Sequence, residues 1–218
     1  MKERGMIFNG EMVRAILDGR KTQTRRIMAP QPADDIERGI FPNPEVIGWK
    51  SSRRHKHGST TAHFCPYGKP GDRIWVREAF RVHSRATDVA TLVYKASERN
   101  SWTEQTHRVP VAVCNKPATP EKWTPSLHMP RWASRILLEI TDVRVERLNA
   151  ISQEDAQAEG MELTGWRPTY SDPDSGGEVM TPYDNFAELW SSIYGEDGWK
   201  SNPWVWVIEF KLVEGGAA

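Results

Sequence analysis

Arg135-Ile136-Leu137-Leu138-Glu139-Ile140-Thr141-Asp142-Val143-Arg144-Val145-Glu146-Arg147-Leu148 is the stretch whose pattern says most about the fold. Ile136, Leu138 and Ile140 alternate on one face, as a half-buried strand requires, and after Thr141-Asp142 the alternation resumes in the opposite phase at Val143 and Val145. The side-chain period of a strand is two, so a change of phase calls for a bulge or a sharp bend, the device by which barrel strands turn corners. Downstream, Ser152 with Asp155 three residues on forms an N-cap signature for a brief helix that Gly160 ends. Phe186, Leu189, Trp190 and Ile193 give a last helix at 3/4 spacing, and Pro203 to Val213 reads as a closing strand.

Upstream lies a Pro-bearing connection, Pro117 to Pro130, and before it three further strands: Arg73 to Phe80, opened by the turn signal Gly68-Lys69-Pro70-Gly71-Asp72, then Thr91 to Ala96 and Val109 to Val113. Ile7 to Asp18 has the apolar stripe Met12, Val13, Ile16, Leu17 of an amphipathic helix, with Asn9 as N-cap and Gly19 as its stop. Residues 28–65 and 163–181, rich in turn formers and polar groups, read as two loop insertions. No repeat or heptad is present. The pattern predicts an α+β chain, one domain over residues 1–218, built as a mixed β-barrel with short flanking helices.

The chain has 218 residues, 38% apolar and 27% charged, which suits a soluble globular protein large enough to fold without a metal or disulfide staple. With two cysteines, Cys65 and Cys114, and a charged start that resembles no secretion signal, it is expected in the cytoplasm, without cofactor. The longest apolar run, Trp204 to Ile208, is far short of the roughly 20 residues of a membrane helix, so no membrane partner is expected. A monomer is the expected state. Net charge is zero, yet up to Arg85 there are 17 Lys and Arg against 9 Asp and Glu, and beyond it 12 against 20. That asymmetry permits a basic face toward a polyanion, or two halves whose charges neutralise each other. Some of the ten tryptophans are candidate stacking platforms for bases.

Chemistry concentrates first in Gly19-Arg20-Lys21-Thr22-Gln23-Thr24-Arg25-Arg26. Lys21 and Thr24, three apart on a turn, can point the same way, and Arg20, Arg25 and Arg26 would disfavour another positive charge, making Lys21 a usable base. The other reading is a solvated basic turn or a phosphate contact. In Gly71-Asp72-Arg73-Ile74-Trp75-Val76-Arg77-Glu78-Ala79-Phe80, alternation puts Glu78 on the apolar face with Ile74, Val76 and Phe80, where it needs a lysine, an arginine or a ligand. Trp75 and Arg77 take the opposite face. Ser126-Leu127-His128-Met129-Pro130-Arg131-Trp132 has the makings of a pocket rim, with His128 as a proton carrier or a solvated loop residue and Met129 and Trp132 as packing. His55, His57, His63 and Cys65 match no common zinc spacing, so no metal is expected.

Gly19-x-Lys21-x-x-Thr24-x-Arg26 after a short helix, followed by Gly71-Asp72-Arg73-Ile74-Trp75-Val76-Arg77-Glu78, resembles the ASCH domain family, whose fold is a PUA-like β-barrel associated with RNA. The Ser126 to Arg135 segment and the Trp-rich end are similar to the longer phage and prophage members. One bacterial branch consists of amidohydrolases that deacetylate N4-acetylcytidine with a lysine, a threonine and a glutamate, which by motif fall on Lys21, Thr24 and Glu78. The resemblance thus implies an amidohydrolase acting on an N4-acylated cytosine nucleoside, with Arg26, Trp75, Arg77, Ser126, His128 and Arg131 as candidate substrate contacts. Two alternatives remain at this point: an RNA-binding module or ribonuclease using the same basic pocket, and a non-catalytic phage-derived interaction protein.

Overall fold

The computed structural model describes residues 1–32, 36–43, 48–53, 60–161 and 180–213. Along the chain run β1 (Glu3–Ile7), α1 (Gly10–Leu17), β2 (Gln23–Ile27), β3 (Ile36–Asn43), β4 (Gly48–Arg53), β5 (Thr60–His63), β6 (Arg73–Arg77), β7 (Phe80–Arg85) and β8 (Val89–Tyr94). Then follow α2 (Trp102–Gln105), β9 (Thr106–Pro110), β10 (Leu137–Arg147), α3 (Gln153–Ala158), α4 (Pro182–Tyr194), α5 (Glu196–Lys200) and β11 (Trp204–Leu212). The class is mixed α+β, and among the described residues no sheet closes on itself. No described helix is long and apolar enough to cross a membrane.

The residues gather into two compact, discontinuous units: Met1–Gly19, Pro70–Ile140 and Phe210–Ala218 in the first, and Arg20–Lys69 and Thr141–Glu209 in the second. In the first, β1 lies parallel to β6, and β6 pairs antiparallel with the start of β10, Leu137 opposite Trp75. A second sheet, in the order β7-β8-β9, covers a core of Phe80, Val82, Leu92, Tyr94 and Met129. Helix α1 starts later than expected, at Gly10, because Ile7 ends strand β1. The Asn9 side chain caps it, accepting from Met12 N at 2.8 Å; Val13 and Ile16 of the expected stripe are buried while Leu17 is 40% exposed, and Gly19 leaves the helix at φ +73, a conformation that costs glycine least. Arg73 to Phe80 is not one strand; Glu78 and Ala79 interrupt it between β6 and β7.

In the second unit β2 pairs antiparallel with β11, Thr24 opposite Ile208 and Arg26 opposite Trp206. Val205 and Val207 of β11 pack with Leu148, Ile151, Phe186 and Trp190, while Trp206, on the other face, meets Trp49 edge-on at 5.0 Å, so the apolar run is buried on both sides. Helices α3 and α4 start at Ser152 and Thr181, each accepting from the backbone three residues on. Residues 28–65 are not the expected loop: β3, β4 and β5 make an antiparallel sheet. Its strands carry few apolar residues, and backbone pairing does not by itself require apolar alternation. Nearly all of the second expected insertion, 163–181, lies outside the described residues, as do His55 and His57.

The phase change in the opening stretch is real. Leu138 and Ile140 are buried, Thr141 and Asp142 are both exposed, and Val143 is buried again. The two exposed residues open the part of β10 that belongs to the second unit.

Candidate active site

The expected site residues divide between the units. Lys21, Thr24 and Arg26 belong to the second; Glu78, Trp75, Arg77, Ser126, His128 and Arg131 belong to the first.

The segment after Gly19 is not a solvated basic turn. Lys21, Gln23, Thr24 and Arg25 are each 1–2% exposed. An isolated antiparallel bridge sets Lys21 against Glu159, supported by Thr22 N donating to Ala158 O at 2.8 Å. Lys21 Nζ then donates to the Glu159 carbonyl at 2.8 Å and to its carboxylate Oε2 at 2.5 Å. Arg25 reaches Asp155 at 2.8 Å, Glu146 at 3.1 Å and Glu159 at 3.4 Å, with its guanidinium 5.9 Å above the Phe186 ring. Arg144 joins the same network through Asp155, Glu146 and Glu209, and donates to Gln23 Oε1 at 3.3 Å.

Burial pushes the Lys21 pKa down, and this outweighs the raising effect of Glu159; Arg26 and Arg25 push in the same direction as burial. Arg26 and Arg25, two of the three arginines expected to act on Lys21, therefore do so, but they are the smaller cause. A desolvated ammonium gives up its proton more readily than one in water, and a carboxylate in contact offers a path for it.

Glu78 is buried as the alternation predicts: Ile74, Val76, Glu78 and Phe80 are each 0–2% exposed. Its partner is Arg135, which donates through Nε at 2.9 Å and Nη2 at 3.1 Å. Arg135 also donates to Ser97 Oγ at 2.8 Å and lies 4.1 Å over the Tyr94 ring. Burial raises the Glu78 pKa, with Arg135 opposing.

No known protein family matches the chain, nor does any curated protein or solved structure.

Several expected substrate contacts already have partners in their own unit. Arg77 lies 5.4 Å over the Trp75 ring, donates to Ser126 O at 3.2 Å and also reaches Leu127 O, tying down the turn Ser126–His128. A Cβ on Gly5 would come within 2.5 Å of the Trp75 ring, so glycine is needed where that ring crosses β1. Arg131 pairs with Glu3 at 2.9 Å, and His128 is exposed. Met129 is packing, as expected: it is buried and its Sδ accepts from Glu78 N.

Glu159, Asp155, Glu146, Arg144 and Arg135 are the charged residues that pattern reading missed as partners. Glu159 is 138 residues from Lys21, and no local spacing links such a pair. Only the cap pair Ser152/Asp155 and the glycine at 160 marked that neighbourhood, and they mark a helix, not a site.

Proposed function

We propose that the protein is an amidohydrolase that removes the acyl group from the N4 amine of a cytosine nucleoside, with an ASCH-type, PUA-like architecture. The observation that carries this reading is Lys21: a lysine enclosed by protein, its pKa depressed by burial, and in contact with one carboxylate. In this mechanism Lys21 takes the proton of a water, and the oxygen so activated attacks the acyl carbonyl. Thr24 lies in β2 on the opposite strand face from Lys21, Gln23 and Arg25, so the expected Lys21–Thr24 pairing carries no step. Glu159, at 2.5 Å from Lys21, takes that proton on. Glu78, to which the ASCH resemblance gives proton delivery to the departing amine, belongs to the other unit, and no step of this mechanism is routed through it. Because Lys21 and Thr24 are sealed from solvent, substrate entry requires a local opening around the Lys21–Glu159 bridge.

The burial of Lys21 and Arg25 among carboxylates disfavours the phosphate-contact alternative for these two residues, since a phosphate grip needs cations that are exposed and not already neutralised. The test is incubation with N4-acetylcytidine and quantification of cytidine. Turnover is expected, and Lys21→Arg, which retains charge but cannot release a proton at neutral pH, should lower it by about 10²-fold or more. Glu159→Gln and Glu78→Gln, compared side by side with melting curves, identify which carboxylate moves the proton. Full activity in Lys21→Arg rules out Lys21 as the base, and no turnover by the wild-type protein rules out the substrate.

A further inference from the structure

The second unit holds a cavity of about 440 Å³ that is lined by neither Lys21, Thr24 nor Glu159. This volume is in the range of small-molecule sites. Met28, Pro30, Phe64 and Trp206 provide much of its wall, and no charged side chain is among its lining residues. Two polar side chains in that wall are directly joined: Ser51 Oγ and His63 Nε2 are 2.8 Å apart, with Ser51 4% and His63 9% exposed.

The register explains the pairing. Trp49 stands opposite His63 and Ser51 opposite Thr61, so Ser51 and His63 are diagonal neighbours on one face of the β4–β5 ladder. The same face carries Trp49, whose ring packs on Trp206 and fixes this edge of the hairpin. Burial lowers the His63 pKa, which keeps the imidazole neutral at pH 7 and able to accept a proton. His63 is the one lining residue that titrates in that range. A serine and a neutral histidine in hydrogen-bond reach, lining a half-open cavity, are the elements of an activated nucleophile.

We propose that Ser51 and His63 form a nucleophile–base pair that hydrolyses small uncharged esters held in this cavity. Ser51 Oγ attacks the ester carbonyl carbon while its proton passes to His63 Nε2. The acyl–Oγ bond forms, the ester C–O bond breaks, and the leaving alkoxide departs as the alcohol with the proton from His63. Water then attacks the acyl-serine, giving one proton to His63; the acid is released, and that proton returns to Ser51 Oγ. The uncharged, aromatic and prolyl wall selects for an apolar acyl group and against phosphorylated or carboxylated substrates.

The site is separate from Lys21 and Thr24, so it stands or falls independently of the amidohydrolase reading. The experiment uses the full chain with two probes, diisopropyl fluorophosphate and 4-nitrophenyl butyrate. The expected result is one stable diisopropylphosphoryl adduct, mapped by peptide mass spectrometry to Ser51, and ester hydrolysis that the reagent abolishes. Ser51→Ala should remove both, and His63→Gln should slow hydrolysis by about 10²-fold or more. Ser192→Ala, an exposed serine on α4, should change neither. Adduct mapping on the wild-type protein needs no variant, so an unstable Ser51→Ala cannot obscure the outcome. Absence of an adduct, an adduct elsewhere, or wild-type hydrolysis by folded Ser51→Ala overturns the proposal and leaves Ser51–His63 as a cross-strand pair that only satisfies its own polar atoms.

Discussion

Each unit buries a charge cluster, and the two are built on opposite plans. In the first, Glu78 meets a single cation, Arg135, in a two-pronged contact, and the remaining Arg135 donors are used by Ser97 and the carbonyl of Glu104. In the second, Lys21, Arg25 and Arg144 share Glu159, Asp155, Glu146 and Glu209, and most members touch more than one partner. A closed pair has no substitute when one member goes. A shared network redistributes its contacts, so it tolerates the transient loss of a proton or of one bond. That difference places the candidate base in the network, and it casts Glu78 as a firmly held carboxylate.

The largest effect should follow from cutting the closed pair. Arg135→Met leaves the Glu78 carboxylate buried without its cation, and urea unfolding at pH 7 should show a loss of about 3–5 kcal/mol. The double variant Glu78→Met/Arg135→Met should recover most of it, since an apolar pair of similar volume avoids the desolvation penalty of two ions. If the single variant is as stable as the wild type, Glu78 and Arg135 are not a closed pair.

Lys21→Met should cost less, about 1–3 kcal/mol, because Glu159 keeps Arg25 at 3.4 Å. Equal losses in Lys21→Met and Arg135→Met would erase the distinction between network and pair.

A third expectation concerns acid. Burial alone would raise the Asp155 pKa, but Arg25 and Arg144 overcome it and hold the carboxyl below its ordinary 3.8. The native state thus binds fewer protons than the unfolded state in this range, so the stability from Asp155 is complete above pH 3.8 and is lost as pH falls through the depressed value. Glu78 runs the other way: its pKa is raised, so the native state binds more protons than the unfolded state as pH climbs from 4.5 through the folded-state value, and stability is lost across that range and stays lost above it. Asp155→Asn should flatten the acid limb of stability against pH, whereas a variant whose acid limb matches the wild type would remove Asp155 from the network's energetics.

The smallest effect is expected at the exposed pair Lys211–Glu139, 3.0 Å apart with the lysine side chain 63% exposed. Lys211→Ala should change stability by less than about 0.5 kcal/mol, and that little should vanish in high salt. A larger loss would mean that burial is not what separates strong from weak ion pairs in this chain.

Much was determined by the sequence alone, because the forces concerned are local. The caps of α1 followed from Asn9 and Gly19, the burial of Glu78 from strand alternation, the phase change at Thr141-Asp142 from a two-residue period, and the burial of Phe186 and Trp190 on α4 from helical spacing, although Ile193 of the same expected stripe is 49% exposed. Each depends on residues within a few positions of one another, where backbone geometry dictates which side chains share a face. Tertiary structure decided the rest. The β3–β5 sheet escaped notice because polar strands lack an apolar rhythm. Lys21 was legible as a candidate base, but not its enclosure or its contact with Glu159; Glu78 was legible as a carboxylate in need of a partner, but not that the partner is Arg135, 57 residues on. The Ser51–His63 pair depends on a hairpin register that no spacing reveals. The depth at which a charge is buried, and the opposite charge it meets there, are properties of chain segments brought together from far apart. Burial is also the largest cause of the Lys21 pKa shift, so the chemistry of this lysine was settled only once the chain had folded around it.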